Sequence, residues 1–295
     1  MTSLRRRPPR FQKPRRSSLA EIHLAVLLFG LAGLFGKWII LPATLIVLGR
    51  AFFGAVFLYI LMKIRKENLR PGSDKHYFQL ILVGFILAFH WVAFFQSIQL
   101  ATVAIGLLTF SSFPIFTTLL APLFFKDGIK LLDIILAVIT FIGVVIVLPD
   151  LNFQSSYTRG FLWGILSGAS FAVLSLLNKK QVASYSGRFV ALYQNGIAAL
   201  VLIPFLFIES YSFSTYNLAL LVLLGVVFTG LSHSLFINGM KTVKAETASI
   251  IASLEPVYGI LAALILLGEV PALNEIIGGA IILSATLMAT FFSSK

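Results

Sequence analysis

The sequence predicts an all-α polytopic membrane protein, ten transmembrane helices built from two inverted five-helix repeats. Three observations carry this. The 295 residues are 58% hydrophobic and only 12% charged, whereas a soluble domain carries about a quarter charged residues. Apolar stretches of about 20 residues, the length a helix needs to cross the hydrocarbon core, recur along almost the whole chain. An offset of 142 residues brings Phe29 onto Phe171, Lys37 onto Lys179, Gly54 onto Gly196, Phe94 onto Phe236, Ser111 onto Ser253, Pro114 onto Pro256 and Asp127 onto Glu269. Each half holds five spans, an odd number, so the second half runs through the membrane upside down.

A basic tail, residues 1–20, precedes a first repeat at 21–150 and a second, inverted repeat at 159–292. The first half's spans run over 21–40, 43–63, 76–98, 101–124 and 129–148. The first is rich in small residues, "GLAGLFG" at 30–36, which let helices approach closely. Short connections at Pro42 and Thr102 make the flanking spans hairpins, and the fourth span carries Pro114. The second half's spans run over 159–178, 188–208, 217–238, 246–268 and 272–292. "GILSG" at 164–168 repeats the small-residue signal, as do Ala248/Ala252 and Ser249/Ser253 in the ninth span. Pro271 makes a hairpin of the last two.

Loop charge orients the bundle. With the N-terminus inside, twenty Lys and Arg fall on inner segments: the tail, Lys63 to Lys75, Lys126 with Lys130, Lys179 to Arg188, Lys241 with Lys244, and Lys295. Two fall outside, Lys37 and Arg159, and Arg50 lies within a span. This asymmetry predicts a multi-pass membrane protein with both termini cytoplasmic. The tail faces anionic headgroups of the lipid bilayer. No aromatic-basic module follows the tail, so nucleic acid is excluded as a partner. With no cysteine, disulfides, zinc–thiolate sites and iron–sulfur clusters are excluded. The four histidines are scattered, so no metal and no cofactor is expected. Without a GxxxxGK[ST] loop, ATP hydrolysis is excluded too.

The segments "FPIFTTLLAPLFFKD" and "LEPVYGILAALILLGE", each after an Ala/Ser/Thr-rich helix start, resemble the fourth and ninth spans of the EamA family, within the drug/metabolite transporter superfamily. "FGLAGLFGKW" is similar to that family's first span and "RGFLWGILSGASFAVLSLLNKK" to its sixth. The resemblance covers roughly residues 20–292. It implies a central cavity open to each side in turn, and export of small metabolites such as amino-acid-like or amphipathic compounds across the plasma (bacterial inner) membrane. Lys126 in "FFKDG" departs from the family's usual ending and makes the halves electrostatically unequal.

Six residues stand out. Glu255 lies about 13 Å from the inner surface at ~1.5 Å per residue, close to the midplane. A carboxylate there is costly. It is read either as a proton carrier facing the cavity or as an interhelical hydrogen-bonding group. Pro256 and its repeat mate Pro114 each free a carbonyl four residues earlier and should bend their helices; they are hinges or static curvature. Arg50, about 10 Å below the outer surface, binds an anionic substrate group, snorkels, or pairs with an acidic loop residue. His90 lies at similar depth and shares a face with Phe94, while Trp91 points elsewhere. Asn195, near the level of Glu255, bonds to another helix or to a ligand. His233 and Asn238 are nearer the inner end.

The function these residues suit is secondary transport of a small molecule by alternating access, driven by the proton gradient or by the substrate's own, in a monomer or homodimer. A flippase for a lipid or lipid-linked sugar is the nearest different cargo. An intramembrane hydrolase would need Ser232 to meet His90 across helices, since adjacent Ser232 and His233 cannot face one another.

Overall fold

The computed structural model describes residues 15–72, 74–124, 131–148, 152–181, 184–212, 214–239, 243, 251–252 and 254–293. Most of the basic tail, Lys126, Asp127, Lys130, Lys241, Lys244, Glu246, Ala248, Ser249, Ser253 and Lys295 lie outside the described residues. Within them, all regular structure is helical. The first half holds α1 (Arg15–Ala32), α2 (Phe35–Trp38), α3 (Ala43–Ile64), α4 (Asp74–Leu100), α5 (Val103–Phe110), α6 (Phe113–Phe124) and α7 (Leu131–Val147). The second holds α8 (Ser156–Gln181), α9 (Gly187–Leu202), α10 (Phe205–Ile208), α11 (Thr215–Gly225), a π-helical turn at Val226–Leu231, α12 (Ser232–Gly239), α13 (Glu255–Leu267) and α14 (Leu273–Ser293).

Among the described residues, seven stretches are long and apolar enough to cross a membrane: Ser17–Trp38, Ala43–Ile64, Tyr77–Leu100, Val103–Phe124, Ser156–Asn178, Gly187–Ile208 and Thr215–Phe236. Three shorter apolar helices are Leu131–Val147, Glu255–Leu267 and Leu273–Met288. Polar residues start several of them by accepting an orphan N–H of the first turn: Thr102 from Ile105 at 3.0 Å, Ser186 from Phe189 at 3.2 Å and Ser214 from Asn217 at 3.1 Å. Gly268, at φ +68°, closes α13 in the left-handed conformation that suits glycine at a helix end.

The fourth and ninth spans correct the expectation of bent but continuous helices. Here α5 stops at Phe110, Ser111 and Ser112 make a turn, and α6 restarts at Phe113 with Pro114 second. Likewise α13 starts at Glu255 with Pro256 second, after a turn at Leu254. Proline has no N–H to give to a preceding turn, and its φ suits a first helical turn, so a break just ahead of it forfeits little. The break puts the Glu255 carboxylate in the first turn of α13, where the helix dipole favours negative charge.

Each break is packed against a glycine. A Cβ on Gly30 of α1 would stand 2.6 Å from the carbonyl oxygen of Glu255, and one on Gly168 of α8 would stand 2.8 Å from that of Phe110. Only a residue without a side chain lets the helices meet there. The centre is filled by α3, α4, α5 and α9, with Phe35, Ile46, Phe95, Ile98 and Leu107 among the fully buried side chains.

Polar contacts cluster at the two ends. At one, Lys37 pairs with Glu269 at 3.6 Å and donates to Ala101 O at 2.6 Å. Glu269 also accepts from Val103 N at 2.8 Å, and Glu275 accepts from Thr102 Oγ1 at 3.3 Å. At the other, Arg188 binds Glu67 through two nitrogens and donates to Asn238 Oδ1 at 3.0 Å. Tyr185 Oη there accepts from Gly72 N at 2.8 Å, and Tyr193 Oη donates to Leu69 O at 2.8 Å.

Candidate functional site

Arg50 is buried on α3, at 4% exposure. It does not snorkel, and among the described residues it pairs with no loop acid, against two of its three sequence readings. Its guanidinium lies over the Trp91 ring of α4, 4.0 Å from the centroid, and 5.3 Å from that of Phe95. A cation on an aromatic face in a water-poor setting gains ~2 kcal/mol. Its Nε donates to Thr229 Oγ1 at 3.1 Å, and Thr229 in turn donates to Leu224 O at 2.9 Å. That second bond belongs to the π turn: the wider turn brings the carbonyl five residues back within reach of the threonine hydroxyl.

Around this cation sit the other polar groups of the bundle centre. Glu255, half-buried at the start of α13, is close enough to Arg50 to interact with it electrostatically, with no direct ion pair between the two. His233 of α12 is within the same field, its ring 6.1 Å from that of Trp91 and 5.3 Å from that of Phe29. Asn195 is fully buried on α9. Its amide donates to Ala191 O of its own helix at 2.8 Å, so the interhelical bond expected of it is absent among the described residues. Its Oδ1 has no donor there, and lies 3.1 Å from where a Cβ on Gly54 would stand, beside the Thr229 methyl group. Arg50, Asn195 and Glu255 thus share one neighbourhood.

His90 does not join them directly. Its Nδ1 lies 2.9 Å from Ser167 Oγ and 3.0 Å from Ser167 O on α8, and its ring is packed between Phe110 and Phe171. It ties α4 to α8. Ser232 donates to Phe228 O and Thr229 O, so the serine–histidine pair a hydrolase would need is not formed. Pro114 and Pro256 lie at the helix restarts already described, with Pro256 next to Glu255.

Two residues of the site escaped the sequence reading. Trp91 does point away from His90, but the face it occupies is the one that meets Arg50. Thr229 stands in "GVVFTGLSHS" as an ordinary small residue of an apolar span; only the π turn aims it. Among the described residues lie two small spaces of about 20 and 10 Å³, each with room for about one water. The first adjoins Gln79, Lys180 and Tyr185, the second Thr102, Ile260, Glu269 and Glu275.

The model of the EamA-like transporter family matches twice, over residues 19–148 and 158–291. An uncharacterized transporter of Bacillus subtilis, YxxF, is 24% identical over 274 residues, covering 90% of this chain and 87% of that protein. A Rickettsia bellii protein named an S-adenosylmethionine uptake transporter is 27% identical, covering 83% of each chain. A solved crystal structure superposes with a TM-score of 0.67 at 18% identity, over 95% of this chain and 98% of that one, a likeness of fold.

Proposed function

This chain belongs to the EamA-like transporter family, and on that premise we propose that it is a secondary transporter that moves a small solute across the plasma membrane by alternating access. The family and its named relatives are transporters, not enzymes. In this reading ten helices form two inverted repeats, and the solute binds between them near the midplane. The two family matches support it, one on each half. So does the restart of a helix at Phe113 and again at Glu255, 142 residues on. The same offset makes Trp91 and His233 mates, and these rings touch across the bundle at 6.1 Å. Mates that touch lie near the axis relating the repeats, so the Arg50 neighbourhood is central.

End-to-end contacts support the proposed topology. Lys37, Ala101, Glu269 and Glu275 all belong to segments assigned outside, and Glu67, Gly72, Tyr185, Arg188 and Asn238 to segments assigned inside. The termini are then cytoplasmic.

The single observation that carries the transport site is a buried cation within electrostatic reach of a half-buried carboxyl group at the centre of a largely apolar bundle. Intramembrane ions of this kind mark solute and ion pathways. The sequence pointed to export by resemblance, whereas the Rickettsia relatives are named for uptake. Alternating access is reversible, so the direction belongs to the gradients of solute and coupling ion.

The test is comparative profiling of cells and medium expressing the wild type, Glu255→Gln or an empty vector, beside uptake of labelled S-adenosylmethionine into the same cells. Movement of one compound by the wild type alone, with both proteins equally present in the membrane, supports the reading and names direction and cargo. Dissipating the proton gradient then separates coupling from binding. If no water-soluble compound responds, the flippase reading takes its place.

A further inference from the structure

Arg50 uses one of its five N–H donors. Nε donates to Thr229 Oγ1, while the two terminal nitrogens, four N–H groups in all, have no acceptor among the described residues. The residue is 4% exposed. Trp91 covers one face of the guanidinium plane at 4.0 Å. With one face stacked and the Nε position tethered, the unused donors lie along the outer Nη edge.

We propose that this edge is a receptor for a carboxylate on the transported solute, bound end-on through both oxygens, with Thr229 and Trp91 as the positioning residues that hold the guanidinium for it. The proposal rests on the transporter reading above and deepens it. Two parallel N–H···O bonds to a planar two-oxygen anion are the geometry a guanidinium matches best. Lysine could not replace it, since an ammonium offers no flat edge. Phe95, whose ring centroid lies 5.3 Å from the guanidinium carbon, suits an apolar body behind that carboxylate. Arg50 has no counterpart in the other half, where the 142-residue offset places Leu192, so the site is single.

The test uses the full chain in lipid nanodiscs and two pairs of probes that differ only in the acid: 3-phenylpropionate against 3-phenylpropionamide, and L-phenylalanine against L-phenylalaninamide. Binding is read by calorimetric titration. In the wild type the amides bind about 10- to 100-fold more weakly than the acids. In Arg50→Gln and Arg50→Lys that preference collapses toward one. In Thr229→Val it falls by about tenfold while the amides' own affinity is unchanged, a split that loss of packing would not produce. Thermal melts check that each variant is folded, and Arg50→Lys, which keeps the charge, serves where Arg50→Gln does not fold. Equal binding of acid and amide by the wild type, no binding of either acid, or a preference that survives Arg50→Lys overturns the proposal. The flux experiment is independent of these probes: a wild type that moves a solute lacking any carboxylate overturns this site and leaves the transporter standing.

Discussion

Arg50 stacks on Trp91 in the bundle centre, and the cation–ring and packing parts of that contact separate experimentally. Trp91→Phe keeps an aromatic face but a poorer one for a cation, so a loss of ~1 kcal/mol in unfolding free energy is expected. Trp91→Ala removes the packed ring as well and should cost ~3–5 kcal/mol. Chemical denaturation in detergent checks both; a Trp91→Phe variant as stable as the wild type would mean that Trp91 is packing alone. Asn195 gives a second residue-scale expectation. Its Oδ1 is buried without a donor, so Asn195→Leu removes an unmet acceptor along with one weak bond to its own helix. Its stability should change by less than ~1 kcal/mol, while a drop in transport with stability intact would make it a solute contact. Little of this was legible beforehand. The sequence marked Arg50, Glu255 and Asn195 because polar residues are rare in hydrocarbon, but rarity names a residue without naming its partner. Helical periodicity said which residues share a face of α4, and not which neighbouring helix that face would meet.

At the scale of the element, the broken fourth and ninth spans are the main departure from a plain bundle. Proline was visible in both, and so was its equivalence under the 142-residue offset. Whether the helix would bend or restart was not, because that depends on neighbours: Gly30 and Gly168 admit the interrupted backbone. Gly168→Leu therefore drives a side chain into the Ser111–Ser112 turn, and a destabilisation of ~1–3 kcal/mol or more from overpacking is expected. The same substitution at Gly196, where a Cβ would meet nothing within 4 Å, is the control and should cost far less. Thermal melts of the two variants side by side check this. The seven long spans needed no such help; length and apolarity alone predicted them within a few residues.

For the whole molecule, the closed end at Lys37 and Glu269 is the accessible lever. Both side chains keep about a quarter of their exposure, 25% and 23%, so the pair contributes only ~0.2–1 kcal/mol. That is enough to shift an equilibrium between open and closed ends. Glu269→Gln removes the charge yet keeps an oxygen for Val103 N–H. Because the chain has no cysteine, a single Ile260→Cys beside that end reports its opening without background. Labelling by a membrane-impermeant maleimide should rise about two- to fivefold in the Glu269→Gln background, and an unchanged rate would mean the pair closes nothing. The all-helical, membrane-spanning class was the most legible level of all, since composition and the length of the apolar runs are spread over hundreds of residues.

The π turn at Val226–Leu231 also acts as a rotational offset. A π turn holds one residue more than the α-helical path it replaces, so everything beyond it in the eighth span is turned by about 100° relative to an unbroken α-helix. His233 and Phe236 face Phe29 because of that extra residue. Deleting one residue from this turn would leave the helix unbroken and the composition almost unchanged. It would nonetheless swing the inner half of the span off α1, the way a key cut one notch out of step still enters its lock and moves nothing.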